Sequence, residues 1–296
     1  MKKWLKFCTR VFFIFLQKLG VHITPNHFYS PIPDTATLHD AIWIKHSELI
    51  GINMNEAFQR NLLAQFYSIY KNEYEHFSRY KTAVPYQYYV TNGSFESVDG
   101  EILYCMIRHF KPKRVFEIGS GNSTFLSATA ISKNKEEGNE WELTAFEPYP
   151  SETLKTGFPG LSYLIVEKVQ DVPTSEFEKL EENDILFIDS SHALKIGGDV
   201  AYEYLEILPR LKKGVIVQIH DIFLPAEYPK HWILKNHWFW TEQYLLQAFL
   251  TFNDHFEVLW GGSYMHLKCP KELEKAFNSY DRIKVWPGSF WIRKIK

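Results

Sequence analysis

The stretch that most constrains this chain is Val115-Phe116-Glu117-Ile118-Gly119-Ser120-Gly121-Asn122-Ser123-Thr124, followed by Phe125-Leu126-Ser127-Ala128-Thr129-Ala130. A short β-prone apolar run meets two glycines spaced by one residue, and the small residues after them suit a helix. The pattern predicts strand, tight turn, helix. Glycine permits positive φ and close approach of the backbone to a ligand, and the first turn of the helix offers unpaired N–H groups to an anion. The dinucleotide fingerprint requires a third glycine three residues after the second, and Thr124 stands there instead. Glu117 is expected at the carboxyl end of the strand, facing a ligand crevice. The candidate ligand contacts of the turn are Glu117, Gly119, Ser120, Gly121 and Ser123. An ordinary β-to-α turn with a solvated glutamate would look the same.

Downstream segments separate these readings. Phe146-Glu147-Pro148 closes a second apolar run, Asp184-Ile185-Leu186-Phe187-Ile188-Asp189-Ser190-Ser191-His192 a later one, and Gly214-Val215-Ile216-Val217-Gln218-Ile219-His220-Asp221 another. Together with the glycine turn, this ordered set resembles the class I S-adenosylmethionine-dependent methyltransferases, in particular their catechol- and sugar-O-methyltransferase-like branch. The resemblance covers about residues 96 to 296. It implies a doubly wound, Rossmann-like α/β fold with a seven-stranded, mostly parallel sheet and helices on both faces. S-adenosylmethionine would be the cofactor, with Glu147 accepting from the ribose hydroxyls and Gln170-Asp171 reaching the adenine edge. In the metal-dependent members, an acid after the fourth strand and a pair after the fifth hold a divalent cation, and the base lies three residues beyond the first acid. Carried over, Asp189, His220 and Asp221 are metal ligands, Asp189 also borders the cofactor, and His192 is the general base.

One departure matters. The family's fifth-strand pair is usually two oxygen ligands, whereas the first here is His220. Magnesium prefers oxygen, and imidazole suits manganese, iron, nickel or zinc. Without a metal, His220 could itself be a base oriented by Asp221, with His192 holding substrate. Two histidines that merely cap strand ends are the plainest alternative.

In chain order, residues 2–20 carry Lys3, Lys6 and Arg10 beside Leu5, Phe12, Phe15, Leu16 and Leu19. The apolar run from Val11 to Leu16 falls far short of the roughly 20 residues that cross a bilayer. As a helix this segment suits either peripheral contact with an anionic membrane or docking on protein, its own domain or a second subunit. His27 to Asp34, with Pro31 and Pro33, is an extended strap. Phe58, Leu62, Leu63, Phe66, Ile69 and Tyr70 recur at helical spacing within 55–77. Residues 80–100 read as irregular, with Tyr88 and Asp99 as solvated or lesser cofactor contacts. Strands are expected at 143–146, 161–169, 185–188, 215–219, 256–260 and 289–293, with helices at 199–211, broken near Pro209, and 241–250. Trp232, Trp238 and Trp240 suit stacking on a sugar or aryl ring, or packing in a lid or interface. The domain expectation is a helical extension over 1–95 and a catalytic domain over 96–296.

The 296 residues, 45% hydrophobic and 17% aromatic, can bury a large core. A net charge of −2 with both signs interspersed argues against a nucleic-acid partner. Cys8, Cys105 and Cys269 are too scattered for a disulfide framework or a paired metal site, which suggests a cytoplasmic protein, with peripheral contact at the inner membrane face as a variant. The acceptor expected from the branch is a hydroxyl on a saccharide or similar polar metabolite. A nicotinamide-dependent oxidoreductase and a non-catalytic scaffold on the same fold are the competing classes.

Overall fold

The computed structural model describes residues 12–296. They form two compact units, one comprising the chain up to Ile44 together with Pro229–Phe239, the other Lys45–Tyr228 with Trp240–Lys296.

The larger unit is built on one sheet: β1 (Arg114–Ile118), β2 (Glu142–Phe146), β3 (Tyr163–Ile165), β4 (Ile185–Ile188), β5 (Ile216–Ile219), β6 (Phe256–Gly261) and β7 (Phe290–Lys294). The spatial order is β3-β2-β1-β4-β5-β7-β6. Pairings from β3 through β5 are parallel, and β7 runs antiparallel to both of its neighbours. Strand order reverses between β1 and β4, which opens a crevice at their carboxyl ends, where open α/β sheets bind ligands. Strand three is shorter than its apolar run suggests, because Val169–Asp171 turns into a 3-10 helix.

The four residues of β4 show why the sheet is a central layer. Ile185 and Phe187 pack into one core cluster, Leu186 and Ile188 into another, and all four are fully buried. Alternation along a strand sends successive side chains to opposite faces, so a continuous apolar run feeds two cores. Helices Glu56–Tyr74, Asp99–Phe110 and Asn122–Glu136 contribute to the first core, and helix Glu242–Leu250 to the second.

Leu62, Leu63, Phe66 and Tyr70 of Glu56–Tyr74 are buried as their spacing predicts, whereas Phe58 and Ile69 face solvent. Gln59 takes the buried place between them, donating to the Met54 carbonyl at 2.5 Å and accepting from the Gly261 N–H at 2.8 Å. The segment expected as one helix over 199–211 is α-helical at Asp199–Tyr202, π-helical at Glu203–Ile207 and α-helical again at Leu208–Arg210. Pro209 has no N–H to give to the previous turn, and the wider π turn lies just before it.

Within the smaller unit, residues 12–18 are helical, with Phe12, Phe15 and Leu19 exposed. The basic face expected from Lys3, Lys6 and Arg10 lies outside the described residues, as does Cys8. Phe28 and Tyr29 of the strap are largely exposed, with ring centroids 4.1 Å apart. Lys230 pairs with Asp40 at 2.5 Å, and the Trp232 ring meets Trp238 edge-on at 5.4 Å. Among the described residues, no helix is long and apolar enough to cross a membrane.

Candidate active site

The turn after β1 is fixed by a backbone crossing. Gly119 has φ +85°, and a Cβ on it would come within 2.1 Å of the Asp189 carbonyl oxygen. The exits of β1 and β4 lie on top of one another there, with the Asp189 N–H donating to the Ile118 carbonyl at 2.9 Å. Only glycine satisfies both the dihedral and the space. Gly121 differs: its φ of 171° is extended, and a Cβ there would meet nothing within 4 Å. Protein packing does not demand a glycine at that position.

Thr124, in place of the third glycine, closes the turn from below. Its hydroxyl accepts from the Gly121 N–H at 2.9 Å and donates to Glu117 Oε1 at 3.0 Å, while Ser123 Oγ donates to the same oxygen at 2.6 Å. Glu117 is therefore completely buried beneath the turn rather than lying open to the crevice. Burial pushes its carboxyl up to about 8, against the pull of the two hydroxyls. Strand alternation carries the signal for this, since Phe116 and Ile118 share one core and Glu117 must point to the opposite, helix-covered face.

Beside the turn lies a cavity of about 470 Å³ whose wall includes Gly119, Glu147, Gln170, Asp189 and Ser190. That size falls in the range of small-molecule and cofactor sites. Glu147 is half-buried at the end of β2; its Oε2 accepts from Ser120 Oγ at 3.1 Å and its Oε1 from the Tyr149 N–H at 2.7 Å. Each carboxylate oxygen retains a further acceptor direction for a vicinal diol. The 3-10 turn after β3 places Gln170 in the wall, and Asp171 is exposed outside it.

The ends of β4 and β5 bring Asp189, His192, His220 and Asp221 together. His220 Nδ1 lies 3.3 Å from Asp189 Oδ1 and 3.7 Å from Asp221 Oδ2. His192 Nε2 lies 3.2 Å from Asp189 Oδ1 and 3.7 Å from Asp221 Oδ2. His192 and Asp221 hold left-handed φ values of 56° and 55°. For residues other than glycine this conformation costs on the order of 1–3 kcal/mol and clusters at functional sites. Burial would lower both imidazoles. It is outweighed by Asp189 and Glu242 around His192, and by Asp221 and Asp189 around His220, so both lie well above the ordinary histidine value. Burial raises Asp221, whereas the two imidazoles overcome burial at Asp189 and hold it well below the usual carboxylate range.

One ligand atom from each of Asp189, His220 and Asp221 falls within 4.8 Å of the others. Donors about 2.1 Å from a shared cation stand roughly 3 Å apart at right angles and about 4 Å apart when opposed, and the 3.3 and 3.7 Å from His220 Nδ1 to the two carboxylate oxygens fall in that range. The mixed nitrogen and oxygen set suits manganese, iron, nickel or zinc better than magnesium.

Neighbouring residues extend the cluster. Asp99 is buried, not solvated; it accepts from the Gly288 and Ser289 N–H groups at 2.9 and 3.0 Å and stands 3.8 Å from His220 Nε2. Tyr88 is also buried, its hydroxyl donating to the Phe95 carbonyl at 3.0 Å, and the Phe95 ring lies 5.0 Å from that of His220. Glu242 meets His192 Nδ1 at 2.9 Å, and the Trp240 ring lies 4.4 Å from the imidazole. Glu203, in the π turn, is fully buried and accepts from Ser190 Oγ at 3.1 Å. Glu242 and Glu203 escape a sequence reading. An acid in the first turn of a helix is ordinarily a dipole partner, and nothing local announces a contact with His192 fifty residues away.

Residues 116–222 match the family model described as Methyltransferase domain. An uncharacterized protein of Archaeoglobus fulgidus is 35% identical over 177 residues, which span 57% of this chain and 78% of that one. Among solved structures, the plantazolicin methyltransferase BamL, in complex with a triazolic desmethylPZN analog and SAH, shares 16% identity over 81% of this chain and 99% of its own, at a TM-score of 0.40. The structure described as cmcI-D160 Mg-SAM shares 15% identity over 68% of this chain and 73% of its own, at a TM-score of 0.37.

Proposed function

Because the chain belongs to the class I S-adenosylmethionine-dependent methyltransferases, we propose that it methylates a hydroxyl group, on a saccharide or similar polar metabolite, with help from a divalent cation. The observation that carries this reading is the cluster of Asp189, His220 and Asp221 at the strand ends, with His192 Nε2 at its edge. Methyl transfer from a sulfonium needs alignment and a deprotonated acceptor, and a hydroxyl needs the most help to lose its proton. A bound cation would supply charge stabilisation for the developing oxyanion.

The remaining work falls to side chains. Glu147 orients the cofactor ribose, the Gly119 to Gly121 turn admits the cofactor closely, and Asp189 links the cofactor cavity to the acceptor side. His192, whose protonated form the neighbouring carboxylates favour, takes the acceptor proton at Nε2 only when that nitrogen has first given up its own. Family membership leaves the nicotinamide reading without support.

The experiment is calorimetric titration with S-adenosylmethionine of the wild type and Glu147→Ala, followed by a screen of sugars and phenols for S-adenosylhomocysteine release with manganese or EDTA. Hydroxyl-dependent turnover that EDTA abolishes supports the proposal. Turnover of amines or thiols alone, indifferent to EDTA, would sink it, and full cellular function of His192→Ala would favour the scaffold.

A further inference from the structure

The near-neutral total charge hides a division between the two units. The smaller one, residues 1–44 with Pro229–Phe239, holds seven lysines and arginines against two acids, whereas the remaining residues hold 26 against 33. Both of its acids are engaged: Asp40 pairs with Lys230, and the Asp34 side chain accepts from the Ala36 N–H at 3.1 Å. Five of its cationic residues, Lys2, Lys3, Lys6, Arg10 and Lys18, fall within the first eighteen positions, where no acid stands.

The same stretch carries exposed apolar surface. Phe12, Phe15, Leu16 and Leu19 recur at i, i+3, i+4 and i+7 and form one stripe along the helix over 12–18. A stripe of this kind ordinarily faces a core, yet Phe12, Phe15 and Leu19 are each more than half exposed. Gly20, at φ +77°, stops the helix: its N–H donates to the Gln17 carbonyl and the Val21 N–H to the Leu16 carbonyl, both at 3.0 Å. The strap that follows continues the display, with Phe28 88% and Tyr29 79% exposed. Among the described residues, 12 of the 28 exposed large hydrophobic side chains belong to this unit, which is under a fifth of the chain. That concentration is not the single scatter any surface carries, and it marks an interaction face.

We infer that the smaller unit docks on an anionic lipid bilayer, drawn by Lys2, Lys3, Lys6, Arg10 and Lys18 and held by the Phe12, Phe15, Leu16 and Leu19 stripe at the headgroup boundary. A bilayer asks for no matching shape, which suits apolar side chains divided between a helix and an extended strap. A second copy of the chain fits less well. A two-fold contact would press one cationic patch against its own image, and a head-to-tail contact would leave the next copy's patch open.

The test sediments the full-length protein with vesicles of phosphatidylcholine alone and of equal parts phosphatidylcholine and phosphatidylglycerol, and sizes it in parallel without lipid by analytical ultracentrifugation. Binding to the anionic vesicles is expected to exceed binding to the neutral ones by at least about 10-fold, and to fall as salt is added. Two variants, Phe12→Ser/Phe15→Ser/Leu19→Ser and Lys6→Glu/Arg10→Glu, should each weaken it by about 10-fold or more. Their urea midpoints should stay at the wild-type value, because the three apolar side chains are open to solvent. Equal binding to both kinds of vesicle, or none to either, overturns the inference. So does vesicle binding indifferent to both variants, or a dimer that the triple variant dissolves, which would assign the stripe to a second copy. The wild-type comparison of the two lipids decides even if a variant fails to fold.

Discussion

The two halves of the crevice are built in opposite ways. On the β1 and β2 side, Glu117, Gly119, Thr124 and Glu147 come from about thirty consecutive residues, and Gly119 and Glu147 line the cavity. On the β4 and β5 side, Asp99, Asp189, His192, His220, Asp221 and Glu242 are gathered from across the chain into a nearly closed cluster of acids around two imidazoles. A turn that must admit a cofactor can be encoded locally, because its demands are backbone shape and one half-buried carboxylate. A site that must hold charge out of water needs partners on several elements, since no single loop can surround it.

The comparison breaks first at the one point shared by both halves. Gly119→Ala adds a Cβ within 2.1 Å of the Asp189 carbonyl, at a φ of +85°. It is expected to destabilise the protein by more than about 3 kcal/mol and to abolish both cofactor and cation binding. Gly121→Ala meets nothing. It should cost under about 1 kcal/mol in a urea titration, so that any loss of cofactor affinity reports on the ligand rather than on folding.

Next in size is the cation side. His220→Ala should weaken manganese binding on the order of 100-fold or more while S-adenosylmethionine still binds, because metal-site changes smaller than loss of a ligand already cost about 10–100-fold. Metal affinity should also fall as pH falls, since the imidazole must lose its proton to bind, and the carboxylates around it hold that proton well above the ordinary value. Calorimetry across pH checks both. Conversely, Glu147→Ala should weaken S-adenosylmethionine by roughly 10- to 100-fold, the loss of one charged hydrogen-bonding group, and leave manganese untouched.

A pH effect sharpens the comparison inside the cofactor half. The Glu117 carboxyl titrates near 8 in the folded protein, against an ordinary value of 4.5. Its folded value is raised, so its contribution to stability is fully present below about pH 4.5 and is lost as pH rises toward 8. Glu117→Gln keeps an acceptor for Ser123 and Thr124 but removes the proton. Urea midpoints of the variant should vary less across that window than those of the wild type. An identical pH profile would mean that Glu117 is not the buried acid described.

The same contrast explains what the sequence could disclose. Short apolar runs ending in Glu147, Asp189 and His220 mark strands of a central parallel sheet because both faces of such strands must be apolar, and the observed β1, β2, β4 and β5 follow them closely. Asp189, His192, His220 and Asp221 were legible because strand ends at one edge of such a sheet are necessarily neighbours. Gly119 and Gly121 look alike in sequence, yet only the position of the Asp189 carbonyl separates a required glycine from a permitted one. Asp99 and Glu242 were opaque for a related reason. Their partners, the Gly288 N–H and His192 Nδ1, are set by how β7 and helix Glu242–Leu250 pack, which no local pattern encodes.

Calorimetric titration of manganese into metal-free wild type and Asp221→Asn tests the central claim most directly, that the strand-end cluster is a cation site beside a separate cofactor site. The account predicts a one-site isotherm in the wild type that vanishes in Asp221→Asn, with S-adenosylmethionine binding retained by both proteins. Equal manganese binding by the two, or none by the wild type, would contradict it.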